Sequence, residues 1–150
     1  SEMRMNYTMM GDTVNLAARL ESSAKQYGVY NFVGENIYEA AKTNFAFRFL
    51  DFVMVKGKNI PVKVYELVSD KNEILNENID LINLFERGID HYFKQEWEMA
   101  FNKFSQAEKL EDKFESRNTT PSQIYIERCK MFMENPPGKD WDGVWKMTSK

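Results

Sequence analysis

An amide and a guanidinium stand four residues apart near the start of the chain, where Asn15 and Arg19 follow Gly11 and Asp12. Residues four apart lie on one face of an α-helix, so both side chains could reach one ligand, such as a ribose and its phosphate. Gly11 permits a tight turn, and Asp12 can cap the helix at its positive end. Capped helices with polar outer faces are also ordinary, so the spacing alone leaves a solvated polar stripe open.

The wording of this stretch resembles the signature of the class III adenylate and guanylate cyclases. After Tyr7 and Thr8, the chain reads GDTVNLAARLE over residues 11–21. The likeness continues in the same order through residues 25–28, 34–38, 47–51, 55–58 and 61–67. The chain is therefore similar to the carboxy-terminal half of such a domain, and the boundary of this half is placed at residue 69.

The resemblance implies roles for four residues in a site formed between two cyclase domains. Asn15 matches an asparagine that orients the ribose, and Arg19 matches an arginine that stabilises negative charge on the α-phosphate. Lys56 matches a lysine that holds the terminal phosphates. Thr8 lies where the family reads the base and can accept from the adenine amino group. The predicted catalytic residues are thus Asn15 and Arg19, and the predicted substrate-binding residues are Thr8 and Lys56.

The resemblance also implies two metal ions, Mg²⁺ or Mn²⁺, held by two aspartates. In the family these aspartates lie upstream of the Tyr-Thr pair, and this chain starts six residues before Tyr7, so we assign no metal ligand. We therefore expect the chain by itself to be inactive. We also expect its sheet to expose unpaired edges that favour pairing with a second copy, as in a homodimer.

Strand-like and helical runs alternate over residues 1–69, which predicts an α+β fold with antiparallel strands. The resemblance implies that this is part of a ferredoxin-like cyclase domain. We predict helices over 12–27 and 35–42, and strands over 30–33, 45–55 and 62–68, with Gly28 ending the first helix. In the strand 45–55 the alternation predicts Phe45, Phe47 and Phe49 on a buried face, and Arg48 and Asp51 on the strand surface.

A linker over 70–79 leads to a second segment, 80–150, and residues 77–134 show only helical spacing. Helices are predicted over 80–94 and 97–110, and a third begins at Pro121 with Thr120 as its cap. The first two resemble a tetratricopeptide repeat, because small and aromatic residues recur at its positions: Gly88, Ala100, Phe104 and Ala107. His91 is assigned a structural role.

The ending, with Trp141 and Trp145, resembles that of bacterial cyclases with such tails. Exposed tryptophans are costly, so both should dock. The sequence leaves open whether they dock on the cyclase half or on a protein partner.

Composition narrows the function classes. The net charge is −3 with both signs mixed, which argues against nucleic-acid binding, and Cys129 is the only cysteine, which excludes an internal disulfide. No apolar run is long enough to span a membrane, so we expect a cytoplasmic piece, and anchoring of a longer parent through upstream sequence is left open.

The leading hypothesis is an adenylate cyclase that converts ATP to cyclic AMP and pyrophosphate. Two alternatives stay open. One is a degenerate cyclase fold that senses nucleotide or acts as a scaffold through its repeat, and the other is a guanylate cyclase. Thr8 is the residue that separates ATP from GTP, because guanylate cyclases typically carry a small Cys-like residue there.

Overall fold

A computed structural model describes residues 21–54 and 59–147 of the 150-residue chain, and these form five helices and four strands of an α+β fold. Residues 21–27 are helical (α1). The remaining elements are β1 (Phe32–Gly34), α2 (Glu35–Ala41), β2 (Phe45–Met54), β3 (Val62–Asp70), α3 (Asn76–Phe93), α4 (Trp97–Glu108), α5 (Pro121–Glu134) and β4 (Trp145–Lys146). We call α3, α4 and α5 the helical segment.

The four strands form one mixed sheet in the order β1-β3-β2-β4. β3 pairs antiparallel with β1 and with β2, as the sequence predicts. β4 pairs parallel with the end of β2, where Val53 lies opposite Trp145 and Met54 opposite Lys146. The sequence did not predict this strand, because two residues are too few to show an alternating pattern. Residues 145–146, near the end of the described part, therefore belong to the sheet.

The predicted faces of β2 are wrong. The pairing of β2 with β3 shifts register between Ala46 and Phe47 and again between Phe49 and Asp51. Each shift adds a residue to one strand, so the alternation of inward and outward side chains breaks there. The consequence is that Phe45 is exposed, whereas the two charged residues predicted for the surface, Arg48 and Asp51, are 2% and 0% exposed.

Gly28 ends α1, as predicted, with a φ of +76° that favours glycine. The backbone also passes very close to the loop before α5, since a Cβ at this position would lie 2.0 Å from the carbonyl oxygen of Thr119. A hydrogen bond also joins these two regions, because the Arg117 Nε donates to the carbonyl oxygen of Val29 at 2.8 Å. The end of α1 is therefore fixed to the loop before α5.

The helical segment has its own core, and it is rich in aromatic residues. Gly88 of α3 packs closely against the ring of Phe104, and a Cβ at position 88 would lie only 2.7 Å from that ring. Phe85, Tyr92, Phe104 and Tyr125 are each 0% exposed. The helices begin and end within four residues of the predicted positions. The likeness to a tetratricopeptide repeat and the division into domains at 69 and 80 stay predictions.

Both tail tryptophans dock on the chain itself. Trp141 lies over Tyr92, Trp97 and Phe132 of the helical segment, with ring centroids 5.3 to 5.5 Å away. Trp145 contacts the core of the helical segment and also the core between α1 and the sheet. Among the described helices, none is long and apolar enough to cross a membrane.

Candidate functional site

The four predicted site residues, Thr8, Asn15, Arg19 and Lys56, lie outside the described residues. The structure describes instead the elements that border them in the chain. The described helix α1 starts two residues after Arg19, and β2 ends two residues before Lys56. The question is therefore what holds α1 and β2 relative to each other.

A buried carboxylate on β2 provides the connection. Asp51 accepts hydrogen bonds from Tyr27 at the end of α1 and from Arg128 on α5. The Arg128 guanidinium is bidentate, with Nη2 2.7 Å from Oδ2 and Nη1 3.1 Å from Oδ1 of Asp51. Bidentate pairs of this kind fix direction as well as distance. One carboxylate thus joins α1, β2 and α5.

Two further donors complete the bonding of Asp51. Its Oδ1 accepts from the backbone amide of Phe52 at 2.8 Å. The Tyr125 hydroxyl of α5 lies 2.9 Å from the same oxygen and 2.6 Å from the carbonyl oxygen of Leu50. We call Tyr27, Asp51, Tyr125 and Arg128 the Asp51 cluster. Because a buried charge is tolerated only when it is paired and hydrogen-bonded, these contacts explain how Asp51 is accommodated.

The electrostatics keep every partner in the protonation state that this bonding needs. Burial, followed by the negative charge of Asp51, raises the pKa of both Tyr27 and Tyr125, so both hydroxyls stay protonated. Burial alone would lower the pKa of Arg128, but the charge and hydrogen bonds of Asp51, together with Tyr125 and Tyr92, more than offset burial and raise the pKa. The Arg128 guanidinium also lies 3.8 Å above the ring centroid of Trp145. A cation over a tryptophan face is a stabilising contact.

A second buried ionic group lies three residues earlier on β2. Arg48 donates to Glu66 of β3 at 2.6 Å and to Glu111, in the loop after α4, at 2.7 Å. Glu111 also accepts from the hydroxyl of Ser122 at 2.6 Å. We call Arg48, Glu66, Glu111 and Ser122 the Arg48 cluster. It joins the sheet to the helical segment, and none of these four residues belongs to α1.

The buried carboxylates do not fit the metal ions that the resemblance implies. Mg²⁺ and Mn²⁺ need carboxylate oxygens that are free to coordinate. Asp51 is taken up by Arg128 and two tyrosine hydroxyls, and Glu66 and Glu111 are taken up by Arg48. Across residues 21–54 and 59–147, no three His, Cys, Asp or Glu side chains form a group that could hold a metal ion.

Sequence reasoning missed Asp51 and Arg128 as an interacting pair. A usable signal was present, because Arg128 lies between Tyr125 and Cys129 on the buried side of α5, and Arg48 and Asp51 interrupt an otherwise apolar strand. Opposite charges at core positions of two elements predict a buried pair. Nothing in the sequence, however, says which two elements meet.

Comparison with known proteins found three similar sequences, which share one activity in their names. The chain is 32% identical over 133 residues to "Adenylate cyclase, terminal-differentiation specific" of Dictyostelium discoideum, which covers 86% of this chain and 6% of that protein. It is 38% identical over 65 residues to "Adenylate cyclase 1" of Rhizobium meliloti, covering 43% of the chain and 10% of the relative. An adenylate cyclase of Anabaena cylindrica is 36% identical over 67 residues, with shares of 43% and 13%. The chain is thus similar in sequence to parts of three proteins named adenylate cyclases.

Each of these relatives is much longer than the chain. The chain spans between 6% and 13% of the length of these relatives. Because 86% of the chain is longer than either of its two segments, the similarity to the Dictyostelium protein crosses from the sheet into the helical segment. No family model matches the chain, and no significant match was found among solved structures.

Proposed function

We propose that this chain is part of an adenylate cyclase and contributes residues that hold ATP while it is converted to cyclic AMP and pyrophosphate. The observation that carries the proposal is the relationship to adenylate cyclases of three organisms at 32 to 38% identity. The Asp12 to Glu21 stretch adds an amide and a guanidinium at helical spacing. Neither the similarity to adenylate cyclases nor this spacing requires that the chain act alone.

In the proposal, each predicted residue has one task. Asn15 orients the ribose, and Arg19 stabilises the negative charge that develops on the α-phosphate. Lys56 holds the terminal phosphates as a point charge. Thr8 accepts a hydrogen bond from the adenine amino group, and its presence favours ATP over GTP because guanylate cyclases typically carry a small Cys-like residue at that position.

The proposal assigns the rest of the site to other parts of the assembly. The reaction uses two Mg²⁺ or Mn²⁺ ions, and the described residues do not fit them, so their ligands must lie elsewhere. The family resemblance suggests a homodimer in which each copy supplies a different half of the site. We therefore expect no cyclic AMP from this chain alone, and weak nucleotide binding.

Ligand-detected NMR tests nucleotide binding, because it reports weak complexes. We expect the 150-residue chain to bind an ATP analogue with a methylene bridge between the α- and β-phosphates, and to bind the GTP analogue less well. Arg19→Ala should weaken binding by about 10-fold or more, as expected for loss of a charged contact to phosphate. Arg87→Ala is the matched control, because it removes the same charge from an exposed position of α3.

The alternatives correspond to other outcomes. Equal loss in both variants would mean that binding is non-specific and would contradict the assigned role of Arg19. Preference for the GTP analogue would favour a guanylate cyclase. A cyclisation assay with Mn²⁺, run on this chain and on a chain extended upstream, tests catalysis. Activity of the 150-residue chain alone would overturn the expectation that it lacks the metal site, and inactivity of both chains would favour the scaffold hypothesis.

A further inference from the structure

We infer that the helical segment positions the nucleotide-binding residues, and that Arg128 of α5 is a positioning residue that acts through Asp51. This inference rests on the proposed function. It assigns a role in the nucleotide site to a residue more than a hundred positions away from Asn15 and Arg19 in the chain.

The first step is the geometry of Asp51. Its carboxylate is 0% exposed and bonds Tyr27 at the end of α1 and Arg128 of α5, while its own backbone belongs to β2. The cluster therefore sets the position of the end of α1 against β2. A change at α5 that removes one donor leaves a buried carboxylate with fewer partners, and α1 or β2 must shift to compensate.

The second step is the distance along the chain to the predicted site. Tyr27 follows Arg19 by eight residues, and Lys56 follows Asp51 by five. In the proposed function, Arg19 holds the α-phosphate and Lys56 holds the terminal phosphates. The two must keep a fixed separation to bind one triphosphate, and small misplacements in such a clamp weaken function strongly.

The third step is that α5 and its preceding loop also hold α1 outside the Asp51 cluster. The Thr119 carbonyl packs against Gly28, and Arg117 donates to Val29. Thr120 then caps α5 by accepting from the amide of Gln123 at 3.1 Å. The loop and the first turns of α5 thus form a support behind the end of α1, with Arg128 two turns further along the helix.

The Arg48 cluster provides a matched control on the same strand. Arg48 and Arg128 are 2% and 5% exposed, and each forms a buried ion pair. Arg48 of β2 pairs with Glu111 in the loop between α4 and α5, and Arg128 of α5 pairs with Asp51 of β2. Only the Asp51 cluster includes a residue of α1. If Arg128 merely stabilises the fold, Arg48→Met and Arg128→Met should have the same consequences.

The experiment measures a distance and an affinity in the 150-residue chain. Nitroxide labels at Lys25→Cys in α1 and Lys63→Cys in β3 occupy exposed positions, and the buried Cys129 should stay unlabelled. Pulsed electron paramagnetic resonance then reports the distance between α1 and the sheet. The affinity for the methylene-bridged ATP analogue is measured in unlabelled chains of the same variants. All measurements are made at a temperature where circular dichroism shows each variant folded.

We expect Arg128→Met to broaden the distance distribution and to weaken analogue binding by about 10-fold or more. Arg48→Met should leave the distribution narrow and the affinity within about 3-fold of the unchanged chain. Arg128→Lys, which keeps the charge but loses the bidentate geometry, should restore part of the affinity. Tyr27→Phe and Tyr125→Phe each remove a single hydroxyl from the cluster, so they test the same link if Arg128→Met does not fold.

Two results would overturn the inference. One is an unchanged distance distribution in Arg128→Met, Tyr27→Phe and Tyr125→Phe, and the other is an equal effect of Arg48→Met on distance and affinity. The two readouts separate this inference from the proposed function. If the unchanged chain does not bind the analogue, the proposed function fails, and the distance measurement still decides whether Arg128 positions α1.

Discussion

The two buried ionic clusters on β2 have similar parts and different connections. The Asp51 cluster pairs one carboxylate with one guanidinium and adds two neutral tyrosine hydroxyls, and it reaches α1, β2 and α5. The Arg48 cluster pairs one guanidinium with two carboxylates and reaches β3, the loop after α4 and, through Ser122, the start of α5. Charged residues close together on one strand can therefore have different roles. The Asp51 cluster can control the position of α1, and the Arg48 cluster fixes the helical segment to the sheet.

The largest expected effect comes from removing either arginine. Arg128→Met and Arg48→Met should each lower the free energy of unfolding by about 3–5 kcal/mol, because each leaves buried carboxylate charge without its partner. Urea denaturation followed by circular dichroism measures this. Removing a carboxylate charge as well as the arginine should distinguish the two clusters. Adding Asp51→Asn to Arg128→Met removes the last charge and should recover part of the loss.

Adding Glu66→Gln to Arg48→Met should recover less, because Glu111 remains charged and 2% exposed at its side chain. Equal recovery of stability in the two double variants would contradict this expected difference between the clusters, since it would mean that the number of carboxylates in the cluster has no consequence for stability.

Gly28→Ala should have the next largest effect, about 2–4 kcal/mol of unfolding free energy. The positive φ disfavours any side chain, and the new Cβ would lie 2.0 Å from the Thr119 carbonyl oxygen. Gly138→Ala is the control, because Gly138 also has a positive φ, +97°, but nothing lies within 4 Å of its Cβ position. It should cost about 1 kcal/mol. Similar losses would show that the contact between α1 and the loop contributes little.

Thr120→Ala should cost about 1 kcal/mol, because it removes the side-chain cap of α5. The Thr120 hydroxyl also donates to Glu108, so the loss should lie above that of an ordinary surface change. Thr119→Ala is a suitable comparison, since the Thr119 hydroxyl donates to the neighbouring Thr120 carbonyl at a long distance of 3.4 Å. Thermal unfolding of both variants measures the difference. Equal unfolding midpoints would mean that the Thr120 cap makes no measurable contribution to the stability of α5.

The smallest effect concerns Cys129, which follows Arg128 and is 0% exposed. Burial raises the pKa of this thiol to about 12, so at pH 8 almost all of it is in the unreactive, protonated form. A disulfide reagent should therefore react slowly with the native chain and quickly in urea. Arg128→Met should speed the native reaction more than Arg48→Met, because it loosens α5 itself. Fast reaction of the unchanged native chain would contradict this packing of α5.

Much of the fold could be predicted from local patterns. Gly28 ends α1, Thr120 caps α5 and the three long helices lie near their predicted positions, because caps and periodic spacing act within a few residues. The faces of β2 could not be predicted, since its bulges arise from pairing with β3. β4 was missed for the same reason, as its two residues are a strand only where β2 lies beside them.

The candidate site divides in the same way. The amino-acid sequence by itself determined the resemblance to cyclases and the residues assigned to nucleotide, Thr8, Asn15, Arg19 and Lys56, and these assignments stay predictions because they lie outside the described residues. Only the tertiary structure decided that Asp51 meets Arg128, Tyr125 and Tyr27. The physical reason is that a buried charge needs partners in three dimensions, and the sequence shows the charge without showing which distant element supplies the partner.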